Sequence, residues 1–386
     1  MAKVIALYLP QFHPTPENDV WWGKGFTEWT NVGKAKSLFK GHYQPRVPAD
    51  LGYYDLRVPE VREQQVELAR KAGVDAFCYY HYYFGNGKRI LERPFTEVVN
   101  SGKPNFPFCL CWANHTWSNK TWEKASSNVK NQILIEQTYG GEKDYTNHFY
   151  CLLDAFKDPR YFKIDGRNVF VVYDVVNFKD VNNFLQTWRR LAKENELPGF
   201  YFIGMVSSTL GFTIDELGKR KNALPNLKSS ADIFNYILKQ GFDAVNSFGK
   251  SRGELMNRGV WYRVFDRLLH KFGIYHKVTY DYNKTVKNYF APEDSWENVF
   301  PTILPQWDRS PRRGDAEGVY INQSPDNFYK HVKHALSIVK KKKIENQIIF
   351  LKSWNEWAEG NYLEPDLRFG HGYIDALKRA LNEHEV

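Results

Sequence analysis

The chain carries few of the features that mark the commonest alternatives. It has four cysteines in 386 residues, no tract of 18 apolar residues, no internal repeat and no low-complexity linker. Four cysteines in or beside apolar segments (Cys78, Cys109, Cys111 and Cys151) make no disulfide framework and read as buried free thiols of a reducing compartment. Asp-x-Asp, the usual metal-diphosphate motif of nucleotide-sugar enzymes, does not occur, nor does a Gly-x-Gly-x-x-Gly phosphate loop. A net charge of +9 raises the question of nucleic acid, yet no zinc-finger spacing, RNA-binding signature or recognition helix accompanies it, so no nucleic-acid partner is expected. Anionic glycans, nucleotide-linked sugars or a lipid surface suit that charge better. The apolar start, Val4 to Leu9, is too short to span a bilayer and no small-residue cleavage site follows. It reads as a first strand, and the chain is expected to work in the cytoplasm.

What the chain does have is aromatic side chains, 16% of the total, many of them just after apolar runs. Eight such runs recur: Val4 to Leu9, Ala76 to Tyr80, Phe106 to Trp112, Val169 to Tyr173, Phe200 to Val206, Phe242 to Ser247, Val299 to Leu304 and Ile348 to Leu351. Short runs without alternation suit strands covered on both faces. Helical spacing lies between them, as in Val61, Gln65, Leu68 and Ala72 before Gly73. The repeat predicts an α/β fold, a (β/α)8 TIM-type barrel with elaborated loops, in one domain over residues 1–386 with an irregular basic insertion at about 209–297. A doubly wound open sheet is the alternative, because periodicity does not show closure.

The chemistry concentrates at the C-terminal ends of these runs, where barrels carry function. His13 follows the first run. Trp22, Glu28 and Trp29 occupy a loop rich in Gly and Trp, with Glu28 read as a sugar-hydroxyl acceptor or as an ion pair with Lys24 or Lys34. Tyr80, His81 and Tyr82 follow the second run, Trp112, Asn114 and His115 the third, Tyr173 and Asp174 the fourth, and Trp307 and Asp308 the seventh. Asp308 and Arg312 read as a rim pair. The eighth run empties into Trp354, Asn355, Glu356, Trp357 and Glu359, then Glu364. Carboxylates can serve as acid and base on a glycosidic bond, and indole faces stack on pyranose rings, so this cluster reads as a sugar-processing site. Desolvation by Trp354 and Trp357, with like charge, is expected to raise one carboxyl so that it stays protonated near neutral pH.

Three other features are read structurally. The stretch Val260 to Phe272 is either a barrel-covering helix with a basic solvated side or a helix resting on an anionic membrane near a lipid-linked glycan. Lys340 to Lys343 reads as a solvated helix end, and His331 with His334 as surface residues without a third ligand.

Trp354-Asn355-Glu356-Trp357-Ala358-Glu359-Gly360 with Glu364-Pro365 resembles the signature of glycoside hydrolase family 99, whose members are endo-acting α-mannan enzymes. The whole chain resembles more closely the WbsX-type proteins, a bacterial group with a family 99-like domain found in O-antigen and capsule loci and often labelled glycosyltransferases. Its other matching elements include Tyr8-Leu9-Pro10-Gln11-Phe12-His13-Pro14, Gly41-His42-Tyr43-Gln44-Pro45 and Cys111-Trp112-Ala113-Asn114. The resemblance implies a retaining barrel enzyme working through a 1,2-anhydro sugar, with an oligosaccharide or polysaccharide substrate and no metal or organic cofactor. Glu356 would deprotonate the 2-hydroxyl, and Glu359 would act as general acid and then as base. His115 stands where the WbsX-type pattern has Glu, replacing an acceptor by a possible donor or cation. A true glycosyltransferase and a silent glycan-binding module are the alternatives to hydrolysis.

Overall fold

The computed structural model describes residues 2–119, 132–206, 212–214, 220–222, 229–271, 278–314 and 318–385. Its centre is a closed ring of eight parallel strands: β1 (Lys3–Tyr8), β2 (Ala76–Tyr83), β3 (Phe108–Trp112), β4 (Arg167–Val172), β5 (Phe200–Met205), β6 (Ala244–Ser247), β7 (Val299–Ile303) and β8 (Ile348–Leu351). Closure is explicit in the register, since β1 pairs with β2 through Ile5 and Ala76 and with β8 through Lys3 and Ile348. Every expected run is a barrel strand, and the open-sheet alternative fails on that pairing.

Helices cover the ring: α1 (Pro59–Ala72), α2 (Arg93–Ser101), α3 (Gly141–Tyr150), α4 (Val181–Glu194), α5 (Ser230–Lys239), α6 (Lys250–Lys271), α7 (Pro325–Val339) and α8 (Gly372–Glu385). Helix α1 shows why these segments fold as they do. Pro59 opens it and Glu60 complements its N-terminal dipole; Gln65, Val66, Ala69 and Ala72 face the barrel. Gly73 then closes it at φ +83°. The strands are buried on both faces, so one continuous apolar core spans the barrel interior and the strand–helix layer. A second small core of Tyr282, Val286, Tyr289, Leu304, Trp307 and Tyr320 lies under the loops after β6 and β7.

Several structural expectations need correction. Lys342 is not solvated: it is buried, its ammonium donates to the Val299 carbonyl, and burial pulls its pKa down to about 8 despite Asp294 and Glu297. His331 is likewise buried, stacked on Phe290 with neither ring nitrogen hydrogen-bonded, whereas His334 is exposed. Cys151 is exposed, unlike the three other thiols. Phe265 and Leu268 of α6 are exposed. The side chains of 259–264, 266, 267, 270 and 271, and residue 272, lie outside the described residues, as does part of the 209–297 insertion. No helix among the described residues is long and apolar enough to cross a membrane.

Candidate active site

The loop after β8 is stapled to the end of β1 by its own side chains. Asn355 accepts the Leu9 N–H at 2.7 Å and donates to the Leu9 carbonyl at 3.0 Å, while the Trp354 N–H reaches Leu7 O at 2.8 Å. Asn355–Glu356 then pairs antiparallel with Asn361–Tyr362 around a tight 3-10 turn, Trp357–Glu359. That hairpin throws Glu356 and Glu359 toward the barrel mouth. Gly360 closes the turn at φ +55°, where a Cβ would lie 2.8 Å from the Asp308 backbone nitrogen and 3.0 Å from Arg46 Cζ. Gly360→Ala should therefore cost about 1–3 kcal/mol and loosen the Asp308 N–H bond to Glu359 O (2.7 Å), which urea denaturation together with turnover would measure.

Both glutamates line one cavity with Leu9, Gln11, Tyr80, Tyr82, Ala113, His115, Trp117, Tyr173, Arg309, Arg312 and Lys352. Each is locked through one oxygen. Glu356 Oε2 accepts from Lys352 Nζ (3.2 Å), Ser353 Oγ (3.2 Å) and Asn361 Nδ2 (3.1 Å). Glu359 Oε1 meets Arg312 at 2.6 Å and Arg309 at 3.1 Å. The other arm of Arg312 holds Glu28 Oε1 at 2.6 Å, and that oxygen also accepts the Ala358 N–H. Arg312 is thus a clamp between the first and eighth loops.

The electrostatics reverse one expectation. Burial alone would raise the Glu359 carboxyl, but Arg309, Arg312, Lys352 and Lys250 outweigh it and hold the pKa down to about 2. Glu359 rests ionised, not as a protonated donor. Glu28 moves the other way, because its burial exceeds the help from Arg312 and because Glu356 and Glu359 repel its charge. His115 is neutral: burial and the nearby Lys352 ammonium lower it to about 4, which removes the imidazolium as a candidate cation.

Of the residues expected to contact a sugar, Tyr80, Tyr82, His115 and Tyr173 do line this cavity with the two acids. The others are placed elsewhere. Trp354 and Trp357 are fully buried; Trp357 stacks on Tyr362 at 3.7 Å and donates to Glu364 at 2.6 Å, so neither is a sugar platform. Glu364 is a buried acceptor for Trp357, Gln65 and Tyr54, lifted by burial to about 7. His81 and Trp112 point out of the barrel and pack on His148 of α3. Burial takes His81 down to about 3. His13 is buried on the Pro10 carbonyl, Trp22 packs on Phe26, and Trp29 donates to Tyr54 O. Glu28 is buried and its ion-pair partner is Arg312 rather than Lys24 or Lys34. Asn114 braces the Asp174 backbone, whose carboxylate takes Asn177. Trp307 sits beneath the Lys250 ammonium at 4.6 Å. Asp308 is no rim partner of Arg312: it is buried and bound by His42 and Gln44 at 2.7 Å each, and against its burial His42, Arg46 and Ser310 hold it down to about 2.

Gln11, Trp117, Arg309 and Lys352 were not among the expected residues. The Lys352-x-x-x-Glu356 spacing is a local signal for an ion pair; nothing local foretells that Arg312 meets Glu359.

The protein WxcX of Xanthomonas campestris pv. campestris is 33% identical over 395 residues, covering 98% of this chain and 50% of its own length. The chain thus spans about half the length of the curated relatives it matches. A glycoside hydrolase-like protein superposes with a TM-score of 0.60 at 14% identity over 100% of this chain and 94% of its own. The GH99 endo-alpha-mannosidase from Bacteroides thetaiotaomicron gives 0.52 at 14% identity over 99% and 97%, and both likenesses concern the fold. A family model described as glycosyltransferase WbsX matches residues 4–377, and with a 33% identical relative over nearly the full chain, this protein belongs to the WbsX glycosyltransferase family.

Proposed function

We propose that the protein is a carbohydrate-active enzyme that remakes a glycosidic bond in a bacterial oligosaccharide or polysaccharide, with Glu356 and Glu359 as the reacting carboxylates. The observation that carries this reading is their arrangement at the C-terminal mouth of the barrel. Both face one cavity, each fixed through a single oxygen, beside the tyrosines and indole that a pyranose requires. In the retaining route, Glu356 takes the proton of the sugar 2-hydroxyl, O2 closes on C1, and the leaving group departs with the bonding pair. An acceptor hydroxyl then loses its proton to Glu359 and opens the 1,2-anhydro ring at C1, while O2 recovers its proton from Glu356.

Hydrolysis of an unactivated glycoside would need Glu359 protonated at the first step, which Arg309 and Arg312 oppose. An ionised Glu359 is ready as a base, and this favours transfer from a donor whose leaving group needs no proton. Mass spectrometry of the host polysaccharide and its lipid-linked oligosaccharides after incubation tests both readings. Longer products only with an added activated sugar donor mean transfer; shorter products without a donor mean hydrolysis. Products that persist undiminished with Glu356→Gln or Glu359→Gln would remove the pair from the chemistry.

A further inference from the structure

A second cavity lies on the other side of the turn that carries Glu359 and shares no lining residue with the catalytic one. Phe39, Lys40, Tyr43, Arg46, Gln306, Asp308, Arg368 and Phe369 are among its lining residues. Its wall toward that turn is Asp308, whose N–H bonds the Glu359 carbonyl, together with Arg46, whose guanidinium donates to the Gly360 carbonyl at 3.1 Å and to Gln306 at 2.8 Å. A chain occupying one cavity is therefore adjacent to the other across a single turn of backbone.

We propose that this second cavity is a subsite for a sugar residue bearing a carboxylate or phosphate, a proposal that rests on the reading of the protein as a carbohydrate-active enzyme. Three features support it. The cavity has an aromatic rim, with the Arg368 guanidinium 4.8 Å from the Tyr43 ring centroid and 5.2 Å from that of Phe369. Rings flanked by a guanidinium offer a flat apolar surface and a planar anion donor side by side. The charge is one-sided: Lys40 and Arg368 are exposed, while the acid of the wall, Asp308, is already occupied by His42 and Gln44 with Arg46 near. The floor also holds spare donors. Gln306 is 1% and Arg46 2% exposed, yet Gln306 Nε2 and Arg46 Nε have no hydrogen-bond partner. A neutral sugar would use the rings and leave both rim cations idle; an acidic one uses all three features.

Isothermal titration on Glu356→Gln protein, which leaves ligand unconsumed, tests this with four probes. They are a glucuronate-containing tetrasaccharide, its carboxyl-reduced counterpart, mannose 6-phosphate and mannose. At least one acidic probe should bind tenfold or more tighter than its neutral partner, and added salt should weaken that difference. Adding Lys40→Ala and Arg368→Ala, both at exposed positions, should erase it. The carboxylate and phosphate arms identify which anion is read. Equal binding of acidic and neutral probes, or an unchanged preference in the double variant, overturns the proposal. Because the readout is binding, a failure of the catalytic reading would appear separately, as absence of products from the unmodified protein.

Discussion

Replacing Arg312 with methionine is expected to lower stability by about 3–5 kcal/mol and to steepen the gain in stability as the pH falls from 7 to 5. The guanidinium is 7% exposed and bridges two carboxylates, Glu28 and Glu359, at 2.6 Å each, so its loss leaves two buried anions short of their shared partner. The sign follows from linkage. In the intact protein Glu359 sits near 2, below its unfolded value of about 4.3. Its contribution is therefore fully present above about pH 4.3 and disappears as the pH falls toward 2. Without Arg312, Arg309 and Lys352 remain but the closest cation is gone, and burial pushes the Glu28 and Glu359 carboxyls upward. A raised carboxyl is more stable protonated, so the variant should gain stability as the pH falls from 7 to 5, where the parent is flat with respect to Glu359. Urea denaturation at a series of pH values reads this directly. Arg312→Lys should recover little, because one ammonium cannot present the planar fork that reaches both acids. An unchanged pH slope in the methionine variant would mean that Arg312 does not set the ionisation of Glu359.

The barrel itself is legible in the sequence because burial on both faces leaves a strong mark: uninterrupted apolar runs ending in polar and aromatic clusters. All eight runs are strands, and the Glu356–Glu359 hairpin lies where the last run empties. The failures come from finer geometry. Tyr80 and Tyr82 face into the barrel and His81 between them faces α3, a parity that the two-residue period contains but that a cluster of aromatics conceals. Trp354 and Trp357 flank the acids in sequence, yet the tight turn that projects the carboxylates inward buries both indoles behind them. Proximity along the chain was a poor guide to which side of the loop a residue joins. Arg312 and Glu28 lie 284 positions apart and meet only because the first and seventh loops adjoin in a closed ring. That contact depends on closure, which a one-dimensional pattern does not encode.

Glu356→Gln and Glu359→Gln should both reduce turnover by about 10²–10⁴-fold or more, and a small nucleophile should tell them apart. Glutamine keeps the shape of each side chain and one acceptor oxygen, which at 359 meets Arg312 and at 356 takes the place of the oxygen bound by Lys352, Ser353 and Asn361, so the hairpin is retained. At position 356 the charge opposite the buried Lys352 is lost, and some stability with it. The proton of the 2-hydroxyl then has no acceptor, the 1,2-anhydro ring does not form, and no second reactant compensates. At position 359 the sequence of events differs. With an activated donor, ring closure and departure of the leaving group need no proton from the protein, so the first half survives in Glu359→Gln. Only the opening of the ring by an acceptor hydroxyl is stranded, because that hydroxyl must lose its proton. Azide carries no such proton. It should restore turnover of Glu359→Gln as a glycosyl azide of retained configuration and should leave Glu356→Gln inactive. Nuclear magnetic resonance of the products assigns the anomeric configuration. Rescue of both variants, or of Glu356→Gln alone, would reverse the assigned roles. An azide product of inverted configuration would rule out the 1,2-anhydro route, since opening that ring at C1 after its formation inverts the centre twice.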